Sequence, residues 1–261
     1  MIGVNIVNYM RGDLTRNAVV AFRKHIKDDD VKLIVVDGTP GSDEVNSIKP
    51  LLDDYIVGGD YLSTNWNMAT EALSDCNIII YLNSDVVITG RDWYDNLINN
   101  ISPNNVGITM CSDWQRDKQP PLKQAAVVGG YWFWAGAISK ECLDTIGLWD
   151  ERLRVGCTDW DIEMRAQAAG YKMVLVPNYD MYHIRNQSLN AANAFDHIIG
   201  VDEMAWASIQ NEPQYKPAYY TGHDREVDYN HIFFKLQRGE HNQPRVHQRK
   251  KVMPLCRRTG E

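Results

Sequence analysis

The first hundred residues alternate between short strand-forming runs and segments of helical spacing, and this alternation constrains the fold more than any other feature. Ile2–Val7, Lys32–Asp37, Asp54–Val57 and Asn77–Leu82 read as strands, the second stopping at the turn signal Gly38-Thr39-Pro40-Gly41. Between them, Leu14, Ala18, Ala21, Phe22 and Ile26 recur at helical spacing, Thr64–Leu73 forms a second helical segment, and Arg91–Asn99 follows the last strand. Such repetition predicts an α/β fold with a mostly parallel, Rossmann-like central sheet flanked by helices on both faces.

The second half is less regular. Val127–Ser139 reads as one aromatic strand, Lys140–Ile146 as a short helix, and Thr158–Ala169 as a helix with Thr158 at its N-cap and Gly170 after its end. Lys172–Val176 is the last strand, closed by Pro177, and Arg225–Leu236 is a further helical candidate. With no internal repeat or low-complexity linker, the expected organisation is one domain over residues 1–190 and a helical or irregular C-terminal appendage over 191–261. A chain of 261 residues with 44% hydrophobic residues suffices for one sizeable core.

No apolar stretch approaches the roughly 20 residues that span a bilayer, and Met1 to Tyr9 lacks the charged start of a signal peptide, so a soluble, cytoplasmic protein is expected. Five cysteines (Cys76, Cys111, Cys142, Cys157, Cys256) without a C-x-x-C pair read as core thiols. The net charge of −7 is unevenly spread: residues 235–261 hold eight Lys/Arg against two Glu, a net +6, which leaves −13 on the rest. The segment 245–258 is a polybasic arm, readable as a solvated tail or as an attractor for anionic lipid headgroups or nucleic-acid phosphates.

Ligands of open α/β sheets bind beyond the carboxyl ends of the strands. The polar residues there are Asn8 and Tyr9, Asp37, and Asn83-Ser84-Asp85. Asp85 at the sheet rim can hold a hard cation through oxygen or simply cap the next turn. A second acidic group, Asp159-Trp160-Asp161-Ile162-Glu163, opens the Thr158–Ala169 helix. Successive helical side chains diverge by about 100°, so one carboxylate can face a cleft while another braces the preceding loop. His183 follows the last strand, and in a polar loop its residue type alone decides nothing.

Taken in order, Tyr9-Met10-Arg11, Val36-Asp37, Tyr81-Leu82-Asn83-Ser84-Asp85 with Trp93, Ile146 to Glu151, Thr158 to Arg165, Ala169-Gly170-Tyr171, Val176-Pro177 and His183 resemble the inverting glycosyltransferases of family 2, which have the GT-A fold. The resemblance spans residues 2–188 and comes nearest to rhamnosyl- and galactofuranosyl-type members, whose metal motif is N-x-D. It implies that Asp85 and His183 hold Mn²⁺ or Mg²⁺, the mixed nitrogen and oxygen set favouring Mn²⁺, and that Asn83 takes the place of the first acidic residue. It implies that Asp159 is the catalytic base, with Thr158 where the family has Glu, and that Tyr9, Asp37, Asn67 and Asn83 bind a nucleotide-sugar donor, UDP-linked in most members. Asp161 and Arg165 match positions around the base. Departures from the family pattern include Val7, Met10 and Trp66.

For the acceptor side, Trp160, Asp161 and Trp134 are the candidates, Trp134 from the run Tyr131-Trp132-Phe133-Trp134 and with Trp114 as a further aromatic. In a strand, alternate residues of that run face opposite sides, so at least half belong to the core. The acceptor itself is a glycan, a lipid-linked sugar or a modified nucleobase; an anionic one, DNA or lipid-linked, would be drawn by segment 245–258, and with it peripheral attachment at a membrane. Two other readings use the same residues: a metal-dependent hydrolase, which needs a denser water-activating cluster, and a non-catalytic sugar-binding homologue, which the acid-poor positions Asn83 and Thr158 would suit.

Overall fold

The structure is a computed structural model describing residues 1–101, 105–113, 122–185, 202–203 and 205–206. Trp114, the candidate helix 225–236, Cys256 and the basic segment 245–258 lie outside the described residues. An eight-stranded sheet forms the centre. Strand β1 (Ile2–Asn8) lies between β2 (Val31–Asp37) and β4 (Ile78–Asn83), parallel to both, and β3 (Asp54–Val57) extends β2 in parallel at the edge. Beyond β4 the order is β8 (Ala135–Ser139), β6 (Val106–Cys111), β9 (Lys172–Val176) and β7 (Ala126–Val128), with β8 and β7 antiparallel to their neighbours. A separate antiparallel ribbon pairs β5 (Val86–Ile88) with β10 (Met181–His183).

Alternation along the strands builds a core on each face. On β4, Ile80 and Leu82 pack with Phe22 of α1 (Gly12–His25) and with Trp93, Tyr94 and Leu97 of α4 (Asp92–Asn100). Ile79 and Tyr81 point the other way, toward Trp66 of α3 (Leu62–Ala72), Leu143 of α5 (Lys140–Ile146) and Ile162 of α6 (Thr158–Ala168). Trp66 therefore belongs to an aromatic cluster, 4.2 Å from Trp149 and 5.7 Å from Tyr81 between ring centroids. The 131–134 run lies between β7 and β8 rather than in a strand, and it still divides, with Tyr131 and Phe133 in this second core and Trp134 in the first. Cys76, Cys111, Cys142 and Cys157 are buried free thiols.

Three differences from the sequence reading have local causes. The expected strand 127–139 is two strands, β7 and β8, on different parts of the sheet. The short helix α2 (Asp43–Ile48), β5, β6 and β10 were not foreseen: β5 and β10 are three residues each, too short to carry a period, and β6 is buried on both faces and lacks alternation. Thr158 is not the N-cap of α6; Cys157 holds that place in a left-handed conformation (φ 60°), while the Thr158 hydroxyl donates to the Val155 carbonyl at 3.1 Å. Among the described residues no helix is long and apolar enough to cross a membrane.

One polar side chain is out of place. Asn5 lies mid-strand in β1, opposite Ile34 and Tyr81, fully buried with neither amide atom hydrogen-bonded. An unsatisfied buried polar group destabilises by about 1–3 kcal/mol. Asn5→Leu, of similar shape, is therefore expected to raise the stability by about that amount in urea unfolding, with an unchanged m-value. A loss of stability would contradict the account.

Candidate functional site

Parallel pairing ends β1, β2 and β4 at one rim, with Asn8 opposite Asp37 and Val7 opposite Asn83. At the β1/β2 end, the Asp37 carboxylate is wholly buried. Its Oδ1 accepts from Asn8 Nδ2 (2.6 Å) and the Thr39 amide (3.1 Å), and its Oδ2 from the Tyr55 hydroxyl (2.8 Å). Burial, with the Asp37 contact, pushes the Tyr55 hydroxyl up to about 12. Thr15 completes the network by donating to Asn8 Oδ1 at 2.7 Å. Tyr9 is half-buried beside this knot, and Met10 turns the chain with φ 58° while its amide donates to Thr39 Oγ1.

The end of β4 carries a second constellation. The β5–β10 ribbon sets His183 opposite Val86, and the Ile184 amide donates to the Asp85 carbonyl at 2.8 Å. This brings His183 Nε2 to 3.1 Å from Asp85 Oδ1, with both side chains largely buried. Asn83 Nδ2 stands 3.5 Å from the same ring nitrogen. Trp134 stacks on the imidazole at 5.1 Å and an interplanar angle of 5°, and its carbonyl accepts from the Asn83 amide. Adjacent ligands of an octahedral ion at about 2.1 Å stand about 3.0 Å apart, so the Asp85–His183 pair fits two neighbouring positions of such an ion. Among the described residues no third His, Cys, Asp or Glu joins them, which leaves room for ligand or water oxygens.

Two arginines border this pair. Arg11 is held by Asp13, which chiefly raises its pKa, with a further contribution from the charge of Asp85. Arg185, in a left-handed conformation (φ 73°), grips buried Asp113 at 3.1 and 3.2 Å. Met10, Cys157 and Arg185 are three of the four non-glycine residues with positive φ among the described residues, and all three flank site segments. Such strain persists where surrounding contacts enforce it.

The first turn of α6 carries Asp159, half-buried, its Oδ1 accepting from the Trp160 amide at 3.0 Å. Asp161 turns the other way, into complete burial against Arg165. Arg165 in turn donates to the carbonyls of Ile146 (2.5 Å) and Leu148 (2.9 Å). Asp161 thus braces the preceding loop and has no surface to offer an acceptor. Asn67 does similar work: its amide accepts from the Trp149 N–H at 2.9 Å and donates to the Trp149 carbonyl at 2.9 Å and to Glu151 at 3.1 Å. The face of Trp134 turned to the rim is covered by His183, and Trp160 packs on Leu153, Cys157, Ala205 and Trp206.

Sequence reasoning gave Glu163 no role of its own. It lies one turn after Asp159, wholly buried, and accepts only weakly from the Tyr131 amide (3.2 and 3.4 Å). Burial, and then the charge of Asp159, pushes its carboxyl well above the ordinary range. Its i, i+4 spacing from Asp159 was the available signal, but burial was not legible.

No protein-family model and no curated protein matches the sequence. Solved structures do. The mannosyltransferase PcManGT from Pyrobaculum calidifontis, in complex with GDP-Man and Mn²⁺, is 13% identical with a TM-score of 0.55, over 95% of this chain and 83% of that one. GalNAc-T7, with UDP, GalNAc and Mn²⁺, is 12% identical with a TM-score of 0.62, over 91% of this chain and 57% of that one. At such identities the likeness shows the fold, which is GT-A.

Because folded Glu163 holds its proton above the unfolded value near 4.5, its contribution favours folding below that pH and is lost as pH rises toward the folded pKa. Glu163→Gln, neutral at every pH, is expected to flatten the decline in melting temperature above about pH 5. An unchanged pH dependence would show that the carboxyl is ionised in the folded protein.

Proposed function

We propose that this chain is an inverting, metal-dependent glycosyltransferase that moves a sugar from a nucleotide-sugar donor to an acceptor hydroxyl. The observation that carries the reading is the meeting of Asp85 and His183 beyond the central strand of a GT-A sheet. The two solved relatives support it, since both contain Mn²⁺ and a nucleotide or nucleotide sugar. Asp85 and His183 would hold the ion, Mn²⁺ in preference to Mg²⁺ for a site with one imidazole nitrogen. When bound, the ion neutralises charge that develops on the departing diphosphate.

The chain's own groups supply the remaining steps. Asp159 takes the proton of the acceptor hydroxyl as that oxygen attacks the anomeric carbon; the carbon–oxygen bond to the diphosphate breaks on the opposite side, which inverts the configuration. Trp134 buttresses the His183 ring, and Asn83, whose amide stands beside the ligating Nε2, contacts the donor. Tyr9 lines the base pocket. Asp37 reads the base only if a base N–H replaces the Tyr55 hydroxyl at Oδ2; otherwise it fixes the pocket floor through Asn8, Thr39 and Tyr55. Asn67 and Asp161 act on the 146–151 loop. Membership of family 2, preference for UDP, a cytoplasmic location with peripheral membrane attachment, and an anionic acceptor drawn by segment 245–258 are parts of the same proposal, resting on the sequence motifs and charge. A hydrolase is disfavoured because the Asp85–His183 pair, with no third His, Cys, Asp or Glu beside it among the described residues, is sparse for activating water.

Asp159→Asn is expected to lower turnover by roughly 10²–10⁴-fold while leaving Mn²⁺-dependent nucleotide binding intact. Full activity in that variant overturns the assignment of the base. In thermal-shift titrations with UDP and GDP, wild type should gain stability only when Mn²⁺ is present, and Asp85→Ala should lose that gain. Equal shifts without metal in both proteins would remove the metal site from the account.

A further inference from the structure

Three successive backbone amides, those of Arg154, Val155 and Gly156, donate to one side chain, Asp202, at 3.0, 2.8 and 2.6 Å. Asp202 is wholly buried and lies beyond the stretch that the family resemblance covers. Consecutive N–H groups converging on one point form an anion-binding nest. Here the nest is filled by the chain's own carboxylate, and what it holds is the segment leading directly into α6 and Asp159.

Neighbouring contacts make the same segment a junction. The Arg154 carbonyl accepts from the Leu62 and Ser63 amides at the start of α3 (2.8 and 3.3 Å), and the Arg154 guanidinium lies 5.0 Å over the Tyr61 ring. The Val155 carbonyl accepts the Thr158 hydroxyl, and Cys157 makes the left-handed turn into the helix. Beside the polar latch, Leu153, Cys157, Ala205 and Trp206 form a small buried cluster against which Trp160 and Met164 pack. Asp202, Ala205 and Trp206 thus touch both ends of the segment that decides where the first turn of α6 begins.

We propose that Asp202 is a positioning residue for Asp159, and that the catalytic unit of this chain extends past residue 190 to include Asp202, Ala205 and Trp206. The latch itself is a structural inference, and its effect on turnover rests on the glycosyltransferase reading. Asp159 sits two residues beyond the Cys157 turn, so freeing the 154–156 amides lets the helix start, and with it the carboxylate, move away from the acceptor oxygen. A displacement of about 1 Å at a reacting group lowers rate by up to about 10²-fold.

The test compares full-length wild type, Asp202→Ala and Asp202→Asn by hydrogen exchange of the 154–156 amides, by Mn²⁺-dependent UDP and GDP binding, and by turnover at saturating donor. In Asp202→Ala those amides should exchange at least about 10-fold faster, and trypsin should cut after Arg152 and Arg154 sooner. Turnover should fall about 10–100-fold with nucleotide affinity within about 2-fold. Asp202→Asn, which keeps an acceptor oxygen, should recover much of both, and it carries the same readouts if the alanine variant does not fold. Unchanged amide exchange in the variants overturns the latch. Faster exchange with unchanged turnover overturns the positioning role. Absence of sugar transfer in wild type overturns the glycosyltransferase reading and, with it, the positioning role, while the exchange result still decides the latch.

Discussion

The in-register parallel pairing of β1 between β2 and β4 is the constraint on which the rest of the molecule depends. Parallel neighbours must be joined by crossovers, so the helices are forced onto the two faces and the carboxyl ends of three strands finish at one rim. Asn8, Asp37 and Asn83 end those strands, and Asp85 stands two residues past Asn83. Antiparallel β8 then does two things: it joins β4 to the β6–β9–β7 part of the sheet, and it delivers Trp134 to the rim just before the strand begins. The β5–β10 ribbon adds His183 from almost a hundred residues further along the chain.

Burying acid so close to a polar rim requires compensation, and the four wholly buried acidic side chains among the described residues find it in different ways. Asp37 collects three donors, Asp161 pairs with Arg165, and Asp202 takes three backbone amides. Glu163 has only a weak amide contact and instead keeps its proton, because an ion without a strong partner is unstable at that depth. The loop from 146 to 157 is the chief beneficiary, held by Arg165, Asn67, Asp202 and the start of α3.

The same economy explains why several residues that resemble ligand contacts in sequence are engaged by the protein. A polar side chain at a strand end or in a helix first turn has one of two fates, to face the cleft or to tie down the loop beside it. Which one depends on the direction of the Cα–Cβ bond and on what packs there. Asp159 stays half-buried while Asp161, two residues on along the same helix, is wholly buried against Arg165, because about 200° of rotation separates them.

Periodicity alone determined β1 to β4 with α1, α3 and α4, the burial of Ile79–Leu82 at the centre, and the rim on which Asn83, Asp85 and Asp37 would end. These are local properties: hydrophobic spacing decides which side chains leave water, and βαβ repetition leaves one sensible topology. Tertiary structure decided what periodicity cannot encode. Short β5 and β10 carry no period, yet their pairing is what joins His183 to Asp85. The burial of Glu163, the orphaned amide of Asn5, and the capture of residues 154–156 by Asp202 each depend on groups that meet only after the chain has folded, through contacts too distant in sequence to leave a local pattern.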